Sequence, residues 1–425
     1  MLGTVIKKEI LENIHSFRFV VITLLSVILV LTSIFVMYRD YQLRLENYEI
    51  LRPDSSQPVA IIQPTPLSIF AKGLDENMGR SYEVRFGGQI EVGSKQQSVN
   101  KIFRLFTTPD LLYVIKVVMA LCAMLFAFSA VTGEKEAGTL RLVLSNRLGR
   151  TILLTGKWIG SFASLVVPFL LAVLLGVILV TLSPQVQMNN QEWLRLGLFL
   201  LGTMFYLAVF FSLGLFISCI SQRSASSIVI SLFIWAILVF VIPNLGNILA
   251  RQLVEIPSVQ RLEVRRQQIW IKETFELNNM EGLRSWEDIQ EAFKKGLSTI
   301  NSENDKLISD YRSRFNRLVA TTRDITRFSP TAAFTFLSTD LAGTGLLEER
   351  KLKQAILQYK NLVVDKPFDI QTASYKGDLP VFSYQRSPVR EVLNAEGLTN
   401  LLVLILFNIV AFSAAYVAFL RYDVR

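Results

Sequence analysis

The run Gly133-Glu134-Lys135-Glu136-Ala137-Gly138-Thr139-Leu140-Arg141-Leu142-Val143-Leu144-Ser145-Asn146-Arg147-Leu148-Gly149-Arg150 decides how the chain is read. It joins two apolar stretches, residues 111–132 and 158–183, each long enough to cross a hydrocarbon layer as a helix. Its first half is charged. Leu140, Leu144 and Leu148 recur at helical spacing with Val143 beside them, so the middle reads as a short amphipathic helix that Gly149 can stop. Arg147, Arg150 and Lys157 keep it in a basic setting, the mark of a cytoplasmic loop. A polar helix lying flat between two spans suits docking to a cytoplasmic partner. An ordinary charged connecting loop is the plainer alternative.

Composition agrees with a membrane protein. The 425 residues are 51% hydrophobic, too apolar for a soluble chain and suited to spans with sizeable water-exposed parts. The net charge of +9 is explained by Lys and Arg flanking the spans. No basic stripe with interleaved aromatics marks a nucleic-acid surface, so nucleic acid is not expected as a partner. Cys122 and Cys219 both sit inside apolar runs, where neither disulfide nor zinc chemistry is served. His15 is the only histidine, so a His-ligated metal centre or a Ser-His-Asp triad lacks its parts. No Asp or Glu lies deep in a span, as a proton relay would need. Neither catalytic nor metal-ligating residues are expected.

Six spans are expected, at residues 19–38, 111–132, 158–183, 194–220, 225–242 and 398–420. The fold class is then an all-α membrane protein. It has six transmembrane helices, a mainly helical extracytoplasmic domain and a small outer loop containing a β-hairpin. Residues 1–38 hold an N-terminal interfacial helix and the first span. Residues 39–110 form the outer loop, 111–243 hold spans two to five, 244–397 are the large outer domain, and 398–425 are the last span and C-terminus. The even number of spans puts both termini in the cytoplasm.

Within this frame, residues 1–17 turn Val5, Ile6, Ile10 and Ile14 one way and Lys7, Lys8, Glu9 and Glu12 the other. That suits a helix in the membrane interface, or simply the start of the first span. Residues 67–74 read as a short surface helix. Alternation across residues 81–93 around Gly87-Gly88 signals a hairpin with a two-residue turn, which must pack on another part of the outer region to be stable. Gly156-x-x-x-Gly160 is a small-residue spacing that permits close helix approach. Lys116, near the outer end of the second span, is a snorkelling side chain or a functional charge. In the large domain a heptad-like stripe runs from Trp286 through Ile300, Leu307 and Tyr311 to Leu318, with Ser285 as its cap. A helix over 259–277 should pair with it through a turn at Asn278-Asn279 and Gly282. Residues 330–341 read as an apolar helix at the outer membrane surface, or capping the mouth of the spans. Leu352, Ile356, Tyr359 and Val363 share one face of a further helix.

Two motifs carry a resemblance. Glu134-x-Glu136-x-Gly138-Thr139-Leu140-Arg141-x-x-Leu144-Ser145-Asn146 after the second span, with Gly156-Lys157-Trp158 opening the third, resembles the permease subunits of type-2 ABC exporters. Arg327-Phe328-Ser329-Pro330-Thr331-Ala332-Ala333-Phe334, followed by Ser338-Thr339-Asp340-Leu341-Ala342-Gly343-Thr344-Gly345, is similar to a subfamily with a large insert before the last span. Its relatives include permeases of gliding-motility type. The resemblance implies that residues 133–150 are a coupling helix seated in a groove on an ATPase. Glu134, Glu136, Gly138, Thr139, Leu140, Leu144 and Arg147 would lie at that contact. The two glutamates would meet basic residues of the partner, and Leu140 and Leu144 a hydrophobic socket. Phe328, Ser329, Pro330, Phe334, Gly343 and Gly345 would mark the outer motif.

The same resemblance implies two cytoplasmic ABC ATPase subunits and a second permease copy or a paralogue. ATP and Mg would sit on the ATPase. This chain binds no cofactor and is no enzyme itself, because it has no Gly-x-x-x-x-Gly-Lys-Ser/Thr phosphate loop. The expected function is ATP-driven movement of a hydrophobic or amphipathic substrate across the bacterial cytoplasmic membrane, in contact with membrane lipid. The alternative is mechanical transmission to an extracytoplasmic protein without transport.

Overall fold

The computed structural model describes residues 2–51, 58–85, 89–92, 109–145, 149–278, 286–364, 366–369, 374–375 and 378–422. In chain order its helices of seven residues or more are α1 (Leu2–Ile14), α2 (Phe17–Ile50), α3 (Leu111–Glu136), α4 (Thr139–Ser145), α5 (Arg150–Thr181), α6 (Asn190–Ile220), α7 (Ser224–Leu253), α8 (Val259–Asn278), α9 (Trp286–Thr326), α10 (Pro330–Ala342), α11 (Leu346–Val364) and α12 (Val389–Leu420). Six of them, α2, α3, α5, α6, α7 and α12, are long and apolar enough to cross a membrane. The protein is an all-α membrane protein.

The centre of the bundle is α6. It starts at a capping box, in which the Asn189 side chain accepts from Glu192 N and the Glu192 carboxylate accepts from Asn189 N. α3, α10 and α12 all pack on it. In the most apolar windows of α3 and α6, 67% of residues are buried within this chain, against 22% in α2 and 17% in α7 and α12. The latter three therefore turn wide apolar faces outward, as hydrocarbon contact requires.

The bundle has two distinct ends. One, the elbow end, gathers α1, α4, the start of α5 and the close of α12. There Arg150 Nη1 donates to the carbonyls of Leu420 (2.6 Å) and Tyr422 (3.3 Å). The far end carries α8 to α11 and a small sheet.

α1 is a helix separate from the first span. The helix breaks at Ser16, whose hydroxyl caps α2 by accepting from Phe19 N, and α1 docks on α5. The seat is Gly156 and Gly160. A Cβ on Gly156 would lie 2.6 Å from Val5 Cγ1, and one on Gly160 would lie 2.8 Å from Glu9 Cβ. Asn13 Nδ2 donates to Ser161 Oγ at 3.0 Å one turn further on.

At the far end, β1 (Val59–Ala60), β2 (Tyr82–Arg85) and β3 (Gln89–Val92) form an antiparallel sheet in that order. Arg85 pairs with Gln89, so residues 86–88 separate the strands, one more than a two-residue turn allows. Gly87 and Gly88 lie outside the described residues. Val84, Ile62 and Met78 pack with Leu352, Ile356, Tyr359 and Val363 of α11, so the amphipathic face of α11 is the support the hairpin needs. Residues 66–69 are a buried 3-10 turn and not a surface helix; Leu67 and Ile69 join the main core. α8 and α9 pack as a helical pair with Ile300 buried on the stripe; the expected turn and the Ser285 cap lie outside the described residues. β4 (Phe368–Asp369) and β5 (Ser374–Tyr375) pair antiparallel as a second, two-stranded sheet.

The seat of α1 leaves no room for a side chain. Gly160→Leu forces α1 off α5 at a cost of about 1–3 kcal/mol, the range for overpacking. The expected outcome is a lower thermal midpoint and faster proteolysis confined to residues before Ser16. An unchanged digestion pattern counts against this docking.

Candidate functional site

The elbow is built from the end of α3 and from α4. Backbone N–H groups of Val131 and Thr132 both donate to Ser218 Oγ on α6, each at 3.0 Å. Lys135 Nζ donates to the Cys219 and Ser221 carbonyls at the C-terminus of α6, and stands 4.8 Å from the Tyr422 ring centroid. Glu136 accepts from Ser224 N (2.9 Å) and Ser224 Oγ (2.6 Å) at the N-terminus of α7. A cation at one helix C-terminus and an anion at the next N-terminus both complement the helix dipoles. The elbow is thereby clamped to the turn between α6 and α7.

A second clamp runs the other way. Lys157, on α5, is only 2% exposed. Its Nζ donates to Glu134 Oε1 and to Glu9 Oε1, both at 2.8 Å. The elbow, α5 and α1 thus share one ammonium. Glu134 Oε2 is buried and unpartnered, with Lys8 Nζ 4.0 Å from its sister oxygen.

These partners set what the motif can present. Glu134 and Glu136 are both engaged within the chain. Leu140 is fully buried in the main core. Gly138 takes φ +71° between α3 and α4, a left-handed turn that strains any L side chain. Ala137, Gly138, Thr139, Arg141 and Leu142 form the exposed tip, with Leu142 69% exposed. The side chain of Leu144, and Arg147 altogether, lie outside the described residues. Glu9, Lys157, Ser218 and Ser224 are the partners that motif reading missed. The one legible signal was Lys157 itself, a lone cation at the start of an apolar helix.

The far-end motif is a capped helix set into the bundle, rather than one lying on its surface. Ser329 caps α10, Pro330 occupies its first turn, and Gly343 ends it at φ +69°. Phe334 is fully buried and stacks on Tyr206 at 4.4 Å; Phe328, by contrast, is 76% exposed. Three spans make π turns where they meet α10: Val114–Met119 in α3, Ile237–Val241 in α7 and Leu393–Gly397 in α12. Side chains brace each one. Tyr206 Oη donates to Lys116 O, Trp235 Nε1 to Val117 O, and Ser329 Oγ to Leu238 O. Arg323 and Arg327 pair with Glu396 in the third. π turns recur at functional sites, where they re-aim side chains.

The glycines at the close of α10 are demanded by contact. A Cβ on Gly345 would fall 2.0 Å from Asp340 Oδ1. Thr344 Oγ1 donates to Ala71 O, and Leu74 N donates to Thr344 O, tying the loop to the segment before α3. Asp340 Oδ1 is sealed from solvent and accepts no hydrogen bond. Desolvation pushes this carboxyl up to about 7, against the Leu347 N–H and Arg323, which lower it.

No metal-binding cluster of His, Cys, Asp or Glu occurs among the described residues. The sequence model of the ABC-2 family transporter protein matches residues 3–424. The chain belongs to this family. No curated protein matches it. An ABC-2 protein is a permease subunit of an ABC transporter, and as a rule it works with an ABC ATPase and is not itself catalytic. The clamped elbow and the inserted α10 are therefore features of a multi-pass permease.

Lys157→Met strands two buried carboxylates, which costs about 3–5 kcal/mol. Neutralising all three groups (Glu9→Gln, Glu134→Gln, Lys157→Met) should recover much of that loss, so the triple variant melts above the single one. Asp340 gives a pH signature. Its folded value lies above that of an unfolded carboxyl, so its contribution is full below about pH 4 and is lost as pH rises to about 7, at about 1.4 kcal/mol per unit. Asp340→Asn should flatten that slope in unfolding measured across pH 4 to 8.

Proposed function

We propose that this ABC-2 permease exports a hydrophobic or amphipathic substrate, driven by two cytoplasmic ATPase subunits that seat the tip of the elbow. A second copy of the chain or a paralogous permease completes the assembly. ATP and Mg are held by the ATPase. The elbow end, with both termini, faces the cytoplasm of the bacterial inner membrane, and α8 to α11 face outward. The motif around α10 aligns the chain with gliding-motility-type permeases.

The observation that carries this reading is the double clamp. Lys157 joins the elbow to α1 and α5, while Lys135 and Glu136 join it to α6 and α7. The tip is left exposed. A push there reaches four helices, through the Lys157 ion pairs to α1 and α5 and through the hydrogen bonds of Lys135 and Glu136 to α6 and α7. Coupling residues then divide into two sets. Leu142, Thr139 and Gly138 form the contact, and Glu134, Glu136 and Leu140 pass the displacement inward. The wide apolar faces of α2, α7 and α12 offer area for a second permease.

The test is copurification of the tagged full chain from its own membranes. Leu142→Asp should lower recovery of a nucleotide-hydrolysing subunit at least tenfold and leave the melting curve of the permease unchanged. Recovering no such subunit with the native chain, or equal recovery with the variant, refutes the coupling role.

A further inference from the structure

At the far end, a cavity of about 920 Å³ lies between α3, α7, α9 and α10. Its volume is in the range of small-molecule sites, about 300–1,000 Å³. Three cations line it: Lys116, Arg251 and Arg323. No Asp or Glu does. Arg323 is engaged by Glu396 through Nη1, and its Nε, which donates no hydrogen bond, lies 3.9 Å from Asp324 Oδ1. Lys116 and Arg251 make no ion pair among the described residues. Three cations on one wall, with no acid among the residues lining it, give the cavity a positive field that favours an anion.

The rest of the wall is apolar. Val117, Val239, Phe240 and Phe336 line it beside the cations. Two π turns contribute here: the one in α3 supplies Lys116 and Val117, and the one in α7 supplies Val239 and Phe240. Lys116 stands roughly 30 Å of helix from the elbow, at 1.5 Å per residue. That is about the thickness of the hydrocarbon layer. The cations therefore sit at the level of the opposite headgroups, with apolar wall on the membrane side. Phe240, Val241 and Leu245 of α7 are exposed beside the cavity and extend an apolar track outward from it.

We propose that this cavity binds an anionic phospholipid of the far leaflet. Its phosphate is held by Lys116, Arg251 and Arg323 Nε, and its upper acyl chain lies along Val117, Val239, Phe240 and Phe336. The inference goes beyond the coupling role and does not depend on it. A lipid wedged between α3, α7 and α10 bridges the spans to the far-end domain.

The experiment uses the full chain, purified and reconstituted in nanodiscs of equal phosphatidylglycerol and phosphatidylcholine, with retained lipid counted by native mass spectrometry. The native chain should retain phosphatidylglycerol at least tenfold over phosphatidylcholine. The double variant Lys116→Gln/Arg251→Gln should lower that preference at least fivefold. Asn247→Trp, at an exposed position of the wall, should lower total retention with every cation intact and serves as the readout if the charge variant misfolds. Equal retention of the two lipids by the native chain overturns the proposal. So does a preference that survives both variants, which would mark annular lipid. Displacement of the lipid by an equal concentration of inorganic phosphate would also overturn it, because a phosphate site needs no acyl wall.

Discussion

One buried ammonium between two carboxylates fixes the elbow end. Lys157 holds Glu9 and Glu134 at equal distance, and each partner comes from a different element. Taking three charges out of water is costly, and such a group is weak support for stability as such. Its value is registry. The N-terminal helix, the third span and the elbow have one arrangement in which no charge is left alone. The small residues at Gly156 and Gly160 allow the backbones to come close enough for that arrangement. Both devices occupy one face of α5.

The far end follows a different logic. Here an apolar helix, α10, is driven into the bundle and capped at both ends by its own sequence. Three spans give way around it by adopting π turns. Such a turn leaves carbonyls without their usual helical donors, and in α3 and α7 side chains from other elements donate to them. The result couples three spans to a single short helix, which in turn is tied through Thr344 to Ala71 and Leu74.

Much of this was legible in the residues. Six apolar runs of the right length announce six spans, because lipid tolerates little else. The alternation at residues 82–92 announces the hairpin, and the apolar face of α11 is legible too, but that the two meet is seen only in the packing. The places that escaped share a cause. Periodicity assigns Glu9 to the polar side of α1, but its partner is far away in sequence, and no local rule can pair the two. An apolar helix reads alike on a surface or inside a bundle, so the burial of α10 was out of reach. π turns keep the helical period closely enough to leave no trace in the pattern. Glu134 and Glu136 carry charge that fits an external partner equally well, and only packing reveals that both point home. Leu140 and Leu142 differ by two positions on a helix, and the turn at Gly138 decides which one faces out.

Cys122 and Cys219 are both sunk in the bundle, 4% and 3% exposed. A thiol reagent applied from the aqueous phase therefore meets a quiet native background. Cysteines placed singly at Leu142 or Phe328, both wide open, would carry a spin label or a fluorophore without first stripping the protein of its own sulfhydryls. Such reporters sit at opposite ends of the molecule, and would register in real time whether a displacement at one is felt at the other.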